Sequence, residues 1–143
     1  MKISLHKITR ENFDAVIGLS LRDDQKDVLP SNVFSIAEST LSPLFHPRAI
    51  CRDDKVVGFT MYQFDEDDCT IWRFMIDQQH QNTGIGTIAL GLVIEEIKSY
   101  HRAKLIDIYY HPENLAAKKL YTKFGFNVVG DRDDGTLIAE IAI

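Results

Sequence analysis

Hydrophobic positions along this chain change their spacing several times, and each change marks a new element. Ile3, Leu5 and Ile8 alternate with polar residues and predict a first strand. Thr9 is a candidate N-cap, after which Phe13, Val16, Ile17 and Leu21 recur at helical spacing. The acidic stretch Asp23-Asp24-Gln25-Lys26-Asp27 ends that pattern. Pro30-Ser31-Asn32 reopens it, with Ser31 or Asn32 capping a second helix through Phe34, Ile36, Ala37 and Leu41. Pro43, His46 and Pro47 then predict a loop.

From Ala49 the spacing turns strand-like. Ala49 to Arg52, the turn Asp53-Asp54-Lys55, and Val56 to Phe64 predict a hairpin. Asp65-Glu66-Asp67-Asp68 makes the next turn and Cys69 to Ile76 the next strand. After Gln81 to Thr87, the apolar residues Ile85, Ile88, Ala89, Leu92, Val93, Ile97 and Tyr100 return to helical spacing, and Leu105 to Tyr110 is an apolar strand. A strand, a helix of that length and a strand form the crossover that places two strands parallel and adjacent. His111-Pro112-Glu113-Asn114 breaks the strand, and Asn114 caps a helix with Leu115, Leu120, Tyr121 and Phe124 that stops at Gly125. Phe126 to Gly130 and Thr136 to Ile143 finish as two strands joined across Asp133-Asp134-Gly135. The expectation is one mixed α/β domain over residues 1–143, in the order β-α-α-β-β-β-α-β-α-β-β, with a largely antiparallel sheet.

Composition narrows the class without naming the chemistry. The 143 residues are enough for one proper core, and 45% hydrophobic with 26% charged residues is ordinary for a globular protein. A formal charge of -5 argues against nucleic-acid binding, which needs a basic footprint, and suits a cationic small molecule. Cys51 and Cys69 are too few and too far apart for a zinc site or a disulfide framework, so two buried thiols and no metal are expected. Met1 to Lys7 carries no apolar leader, and no stretch approaches the ~20 apolar residues of a membrane span. A cytoplasmic protein without a membrane partner follows as the expectation.

The stretch Gln81-Asn82-Thr83-Gly84-Ile85-Gly86-Thr87 is the strongest candidate for chemistry. Two glycines one residue apart, at a helix start, form either an anion-binding turn or a plain strand-to-helix connection. Gly84-Ile85-Gly86-Thr87-Ile88-Ala89 formally fits the dinucleotide pattern GxGxxG/A. Yet Asp107 falls inside the following strand, and too little chain remains after it for a doubly wound sheet. A nucleotide-triphosphate loop fails as well, because no Lys-Ser/Thr follows the second glycine.

Read with its flanks, Gln81-x-x-Gly84-x-Gly86 resembles the Q/R-x-x-G-x-G/A signature of the GNAT superfamily of acetyl-CoA-dependent N-acetyltransferases. Asn114-x-x-Ala117-x-x-x-Tyr121-x-x-x-Gly125-Phe126 resembles its C-terminal companion. The order of elements over nearly the whole chain is also similar to that fold: about seven strands, mostly antiparallel, with about four helices. Val56 to Tyr62 and Trp72 to Asp77 resemble strands of the small bacterial polyamine acetyltransferases.

The resemblance implies acetyl-CoA as co-substrate, transfer by direct attack of an amine, and a set of roles. Backbone N–H groups of Asn82, Thr83, Gly84, Ile85, Gly86 and Thr87, with Gln81 before them, are expected at the pyrophosphate. Exposed backbone on Phe74, Met75 and Ile76 is expected to pair with the pantetheine arm like an added strand. Asn114 is expected to bond that arm or to cap its helix, and Tyr121 to protonate the departing thiolate. Asn82-Thr83 stand where many members carry small and basic residues. Lys118, Lys119, Lys123 and His80 are available as compensating cations or as a solvated helix face. For a cationic acceptor the candidates are Glu38, Asp65 and Glu66, together with Asp67, Asp68, Asp23, Asp24 and Asp27, which are equally readable as solvated loop. His80 and His111 are groups of near-neutral titration beside turns, where a structural role is the plainer reading. A protein N-terminus or lysine as acceptor, and a CoA-binding module without turnover, are the alternatives. The family's dimers suggest the apolar strand Thr136 to Ile143 as an interface.

Overall fold

Val57, Phe59, Met61, Tyr62 and Phe64 are all fully buried. Strand β3 (Lys55–Asp65) therefore presents apolar side chains to both of its faces and runs through the middle of a sheet. The computed structural model describes residues 1–20 and 31–143, so Leu21, the acidic break with Asp23, Asp24 and Asp27, and Pro30 lie outside the described residues.

Within them the order is β1 (Ile3–Lys7), α1 (Phe13–Ile17), α2 (Asn32–Ser39), β2 (Phe45–Arg52), β3, β4 (Asp68–Ile76), α3 (Ile85–Ser99), β5 (Leu105–Tyr110), α4 (Leu115–Lys123), β6 (Asn127–Asp131) and β7 (Leu137–Ala142). A short 3-10 turn, Gln78–His80, separates β4 from α3. The seven strands form one sheet in the order β1-β2-β3-β4-β5-β7-β6. Every neighbouring pair is antiparallel except β4 and β5, the pair joined through α3. The mixed α/β architecture expected from the pattern is the one observed.

Helices cover both faces of the sheet. On one, Leu90, Val93, Ile94 and Ile97 of α3 and Tyr121 of α4 pack with Ile71, Ile106 and Ile108. On the other, Val16 of α1 packs with Ala49, Phe59, Met61 and Met75. No helix among the described residues is long and apolar enough to cross a membrane.

Several local expectations need correction. His46 and Pro47 are not in a loop but in β2. Pro47 is tolerated there because β1 pairs no further than Lys7 with Arg48, leaving the proline one residue beyond that ladder with only β3 beside it. Asn12, not Thr9, stands at the N-cap of α1, and its side-chain oxygen accepts from the Thr9 N–H at 2.8 Å. That turn delays the helix, which lasts five residues before Gly18. Ser31 caps α2 as expected, accepting from the Phe34 N–H at 3.1 Å. The helix stops short of Leu41, where the Ser39 and Thr40 hydroxyls donate back to the carbonyls of Ile36 and Ala37. Strand β7 lies between β5 and β6, so both of its backbone edges are paired within the chain, and the sheet's outer strands are β1 and β6.

Candidate functional site

The parallel pair β4–β5 is the sheet's discontinuity. It holds register only from Asp68 with Leu105 to Ile71 with Ile108. At that point β4 carries a bulge: Tyr62 pairs with Ile71 and Met61 with Arg73, leaving Trp72 as the extra residue. A bulge bends its strand and ends local pairing, and the two strands part beyond it. Trp72 to Ile76 consequently have no strand on the β5 side among the described residues. The opening is a narrow cleft whose walls include Trp72 and Phe74 from β4, Tyr109 and Tyr110 from β5, and His111 and Tyr121.

Strand alternation divides these side chains between two faces. Ile106, Ile108 and Tyr110 point toward α3 and α4, where Tyr110 meets the Tyr121 ring at 5.4 Å. Asp107 and Tyr109 point to the face of α1 and α2. There the Trp72 indole stacks on Tyr109 with centroids 5.2 Å apart, and Arg132 lies 5.2 Å over the Tyr109 ring. Trp72 is held in orientation by its indole N–H, which donates to Gln63 Oε1 at 2.8 Å. Because of the bulge, Arg73 shares this face: its guanidinium donates to Ser35 Oγ at 3.0 Å and pairs with Glu38 at 3.5 Å.

The glycine stretch lies at the open end of the cleft. Asp77 stabilises the preceding turn, accepting from the N–H groups of Ser20 and Gln79. Gln81 Nε2 donates to the Ile76 carbonyl at 3.0 Å, tying the turn to the end of β4. Thr83 donates its hydroxyl to the His80 carbonyl. Asn82 (φ 61°) and Gly84 (φ 86°) both take left-handed backbone, which turns the chain sharply into α3. Gly84 is the N-cap and offers no side chain, and the first helical bond runs from the Ile88 N–H to the Gly84 carbonyl. The N–H groups of Ile85, Gly86 and Thr87 thus have no acceptor among the described residues, at the positive end of a fifteen-residue helix. An anion with several oxygens fits that need, and a Cβ at Gly84 would meet nothing within 4 Å, so the approach is open.

Helix α4 brings the other motif to the cleft. Asn114 caps it, its Oδ1 accepting from the Ala117 N–H at 3.1 Å. Two turns on, Tyr121 is almost completely buried between Tyr110 and Phe126, and burial pushes its phenol above the ordinary value of 10. Gly125 (φ 93°) ends the helix, and the Phe126 N–H returns to the Tyr121 carbonyl.

The acetyltransferase (GNAT) family profile matches residues 8–126. This chain belongs to that family. It is an acyltransferase whose acyl donor is acetyl-CoA. It is 27% identical over 141 residues to the spermine/spermidine N(1)-acetyltransferase of Bacillus subtilis strain 168, covering 93% of each chain. Its fold is similar to the PaiA N-acetyltransferase of Thermoplasma acidophilum in complex with coenzyme A, with TM-score 0.78, 18% identity and full coverage of both chains. It is also similar to a GNAT acetyltransferase of Elizabethkingia anophelis with acetyl-CoA bound, with TM-score 0.72, 16% identity and coverage of 99% and 98%.

The fold gathers some of the expected site residues and separates others. Phe74, Met75 and Ile76 lie on the unpaired part of β4, Gln81 to Thr87 at its end, and Asn114 and Tyr121 beside it. Lys123 is exposed in the last turn of α4. Glu38 is on the α2 face but engaged with Arg73. Asp65 ends β3 and Glu66 opens the β3–β4 turn, at the Asp68–Leu105 end where the strands are still paired, and neither is among the residues that line the cleft. Sequence reasoning did not single out Trp72 and Tyr109, which the fold places in the cleft wall, or Arg73, which it places beside them against α2. The adjacent bulky pair Trp72-Arg73 was a signal, but a bulge is visible only once the partner strand is in place. No group of three or more His, Cys, Asp or Glu able to hold a metal occurs among the described residues.

Proposed function

We propose that this acetyltransferase carries acetyl to a primary amine of a small polycation of the spermidine or spermine type. The observation that carries the reading is the charge on the α1/α2 face next to the cleft. Asp107 is half-buried there, with Thr70 donating to its carboxylate at 2.5 Å. Burial raises its pKa, and so do the nearby carboxylates of Asp68 and Asp65. Glu140 stands opposite Asp107 in the β5–β7 register. Carboxylates held on neighbouring strands, about 4.8 Å apart, offer successive charges to a flexible chain of ammonium groups. The Trp72–Tyr109 pair beside them gives the alkyl segments and their cations an aromatic wall. The name of the Bacillus subtilis relative points the same way. Asp65 keeps its expected part through this row, Glu66 adds charge at the turn, and Glu38 acts through Arg73 by holding α2 against β4.

Acetyl-CoA supplies the activated thioester. The N–H groups of Ile85, Gly86 and Thr87, with the turn from Gln81 to Gly84, hold its pyrophosphate, and Lys123 contributes positive potential nearby. The unpaired edge of Phe74 to Ile76 pairs with the amide-bearing arm. Asn114 fixes the start of α4, and Tyr121 gives its proton to the departing thiolate. The raised pKa of that phenol keeps it protonated at any working pH, and the same dry cleft makes the thiolate a stronger base than its ~8.5 reference value implies.

Thiol release measured with spermidine, spermine, lysine-bearing peptides and aminoglycosides tests the acceptor. Polyamines are expected to give the highest kcat/KM, with charge-reversed Asp107→Lys raising their KM. Release with another amine and none with any polyamine overturns the substrate assignment and leaves the acetyl transfer intact.

A further inference from the structure

We propose that His111 is the group that takes the proton from the acceptor ammonium. The inference rests on the acetyl-transfer reading and adds the base that it lacks. An amine attacks a thioester only when neutral, and polyamine nitrogens are protonated near neutrality, so the cleft must contain a proton acceptor or lead a water to one. Among the described residues that wall it there is no carboxylate: Asp107 and Asp68 lie below the point where the strands part. Tyr109 and Tyr121 are phenols whose pKa values burial pushes up, so neither is a base under working conditions. His111 is the one imidazole among the described residues of the wall.

Its position suits the task. The main chain is pinned where β5 hands over to α4, because the His111 carbonyl accepts from the Asn114 N–H at 2.9 Å and Pro112 restricts the residue before it to extended backbone. The imidazole therefore leaves a fixed point of the cleft rim, half-buried, with no hydrogen-bond partner among the described residues. Position 111 follows β5 directly, and the Asp134 carboxylate senses both His111 and Arg132, the residue that lies over Tyr109; this associates His111 with the Tyr109 side proposed for the polycation, while Tyr110 and Tyr121 belong to the opposite face. Base and acid thus flank the cleft from its two sides, as required when an amine arrives on one side of the thioester and a thiolate leaves on the other. Facing His111 are the Tyr121 phenol from α4 and, from the β6–β7 turn, Asp134 with Arg132 near it; the carboxylate of Asp134 feels the imidazole. The residues of β4 in the wall, Ile71, Trp72 and Phe74, carry no charge.

The balance is complete within the two substrates. One proton passes from R–NH3+ to His111, directly or through a water, and the nitrogen lone pair forms the C–N bond. The C–S bond breaks, Tyr121 protonates the sulfur, and the second nitrogen proton returns the tyrosine to its neutral state. His111 releases its proton to solvent, so the products are the amide, free CoA thiol and one H+.

The test is the pH profile of kcat/KM with the best amine of the panel, for the unmodified protein and for His111→Gln. The unmodified profile should fall on its acid side, where a base that must accept a proton is lost. His111→Gln should lose about 100-fold in kcat at neutral pH and lose that limb, with acetyl-CoA Kd within about twofold of the original. Added imidazole should restore part of the rate to His111→Ala, a response that repacking alone does not produce. A retained rate, or an equal loss at every pH with the limb in place and no imidazole rescue, overturns the assignment. Absence of turnover with every amine in the unmodified protein overturns the function reading instead, and this assignment with it.

Discussion

Helices α3 and α4 both start at the cleft after the end of a β-strand, and their starts are built in opposite ways. α4 is closed on itself: Asn114 supplies the acceptor that its first turn needs. α3 is left open, with Gly84 in the left-handed region, no capping side chain and three N–H groups without acceptors among the described residues. A capped start contributes about 1 kcal/mol to stability whether or not a ligand is present. An open start keeps that favourable interaction for whatever anion arrives. In the proposed function this becomes a division of labour: the open start of α3 is assigned the affinity for the donor, and α4 the delivery of Tyr121 to the reacting atoms.

The most severe way to break this comparison is at the chemistry. Tyr121→Phe should lower kcat by about 100-fold or more while acetyl-CoA Kd stays within about twofold, measured by thiol release and calorimetry. A matched loss of affinity would show that α4 also holds the donor. Next comes the open helix start. Gly84→Asp puts a like charge where the phosphates are proposed to sit, and should raise acetyl-CoA Kd about tenfold with kcat at saturation nearly unchanged. Added salt should narrow that difference. Asn114→Ala removes the closed start's acceptor and should cost about 1 kcal/mol in chemical denaturation, with a smaller effect on Kd than Gly84→Asp has.

The smallest effect lies in the paired part of the sheet, away from both helix starts. Burial and the carboxylates of Asp68 and Asp65 raise the Asp107 pKa in the folded state, so its charged form is disfavoured by folding. That penalty is present in full above the folded pKa and disappears as pH falls through the folded and then the unfolded value. Asp107→Asn should therefore raise the melting temperature at pH 7 and give no gain below about pH 3. Saturating spermidine should erase the difference at pH 7 by stabilising the unmodified protein.

Much of this architecture was legible before any coordinates. The hairpin turns at Asp53-Asp54 and Glu66-Asp67, the extent of Leu105 to Tyr110, and the Asn114 cap depend on neighbours in sequence, and the two motifs around Gly84 and Tyr121 are read the same way. What failed locally failed for local reasons too, as at Asn12, where a side chain competed for the turn that Thr9 was expected to cap. Pro47 is different, since its place in a strand depends on where β1 stops.

The amino-acid sequence by itself determined the order of elements, the family and the glycine turn, because spacing, capping and turn chemistry act over a few residues. Only the tertiary structure decided where β4 and β5 part, that Trp72 meets Tyr109, that Arg73 engages Glu38, and that His111 enters the cleft wall while Asp65 and Glu66 do not. Those facts follow from the register of strands joined by a long crossover, as with Thr70 and Asp107, thirty-seven residues apart. Register is set by burial of the whole pattern at once, which no single stretch of the chain contains.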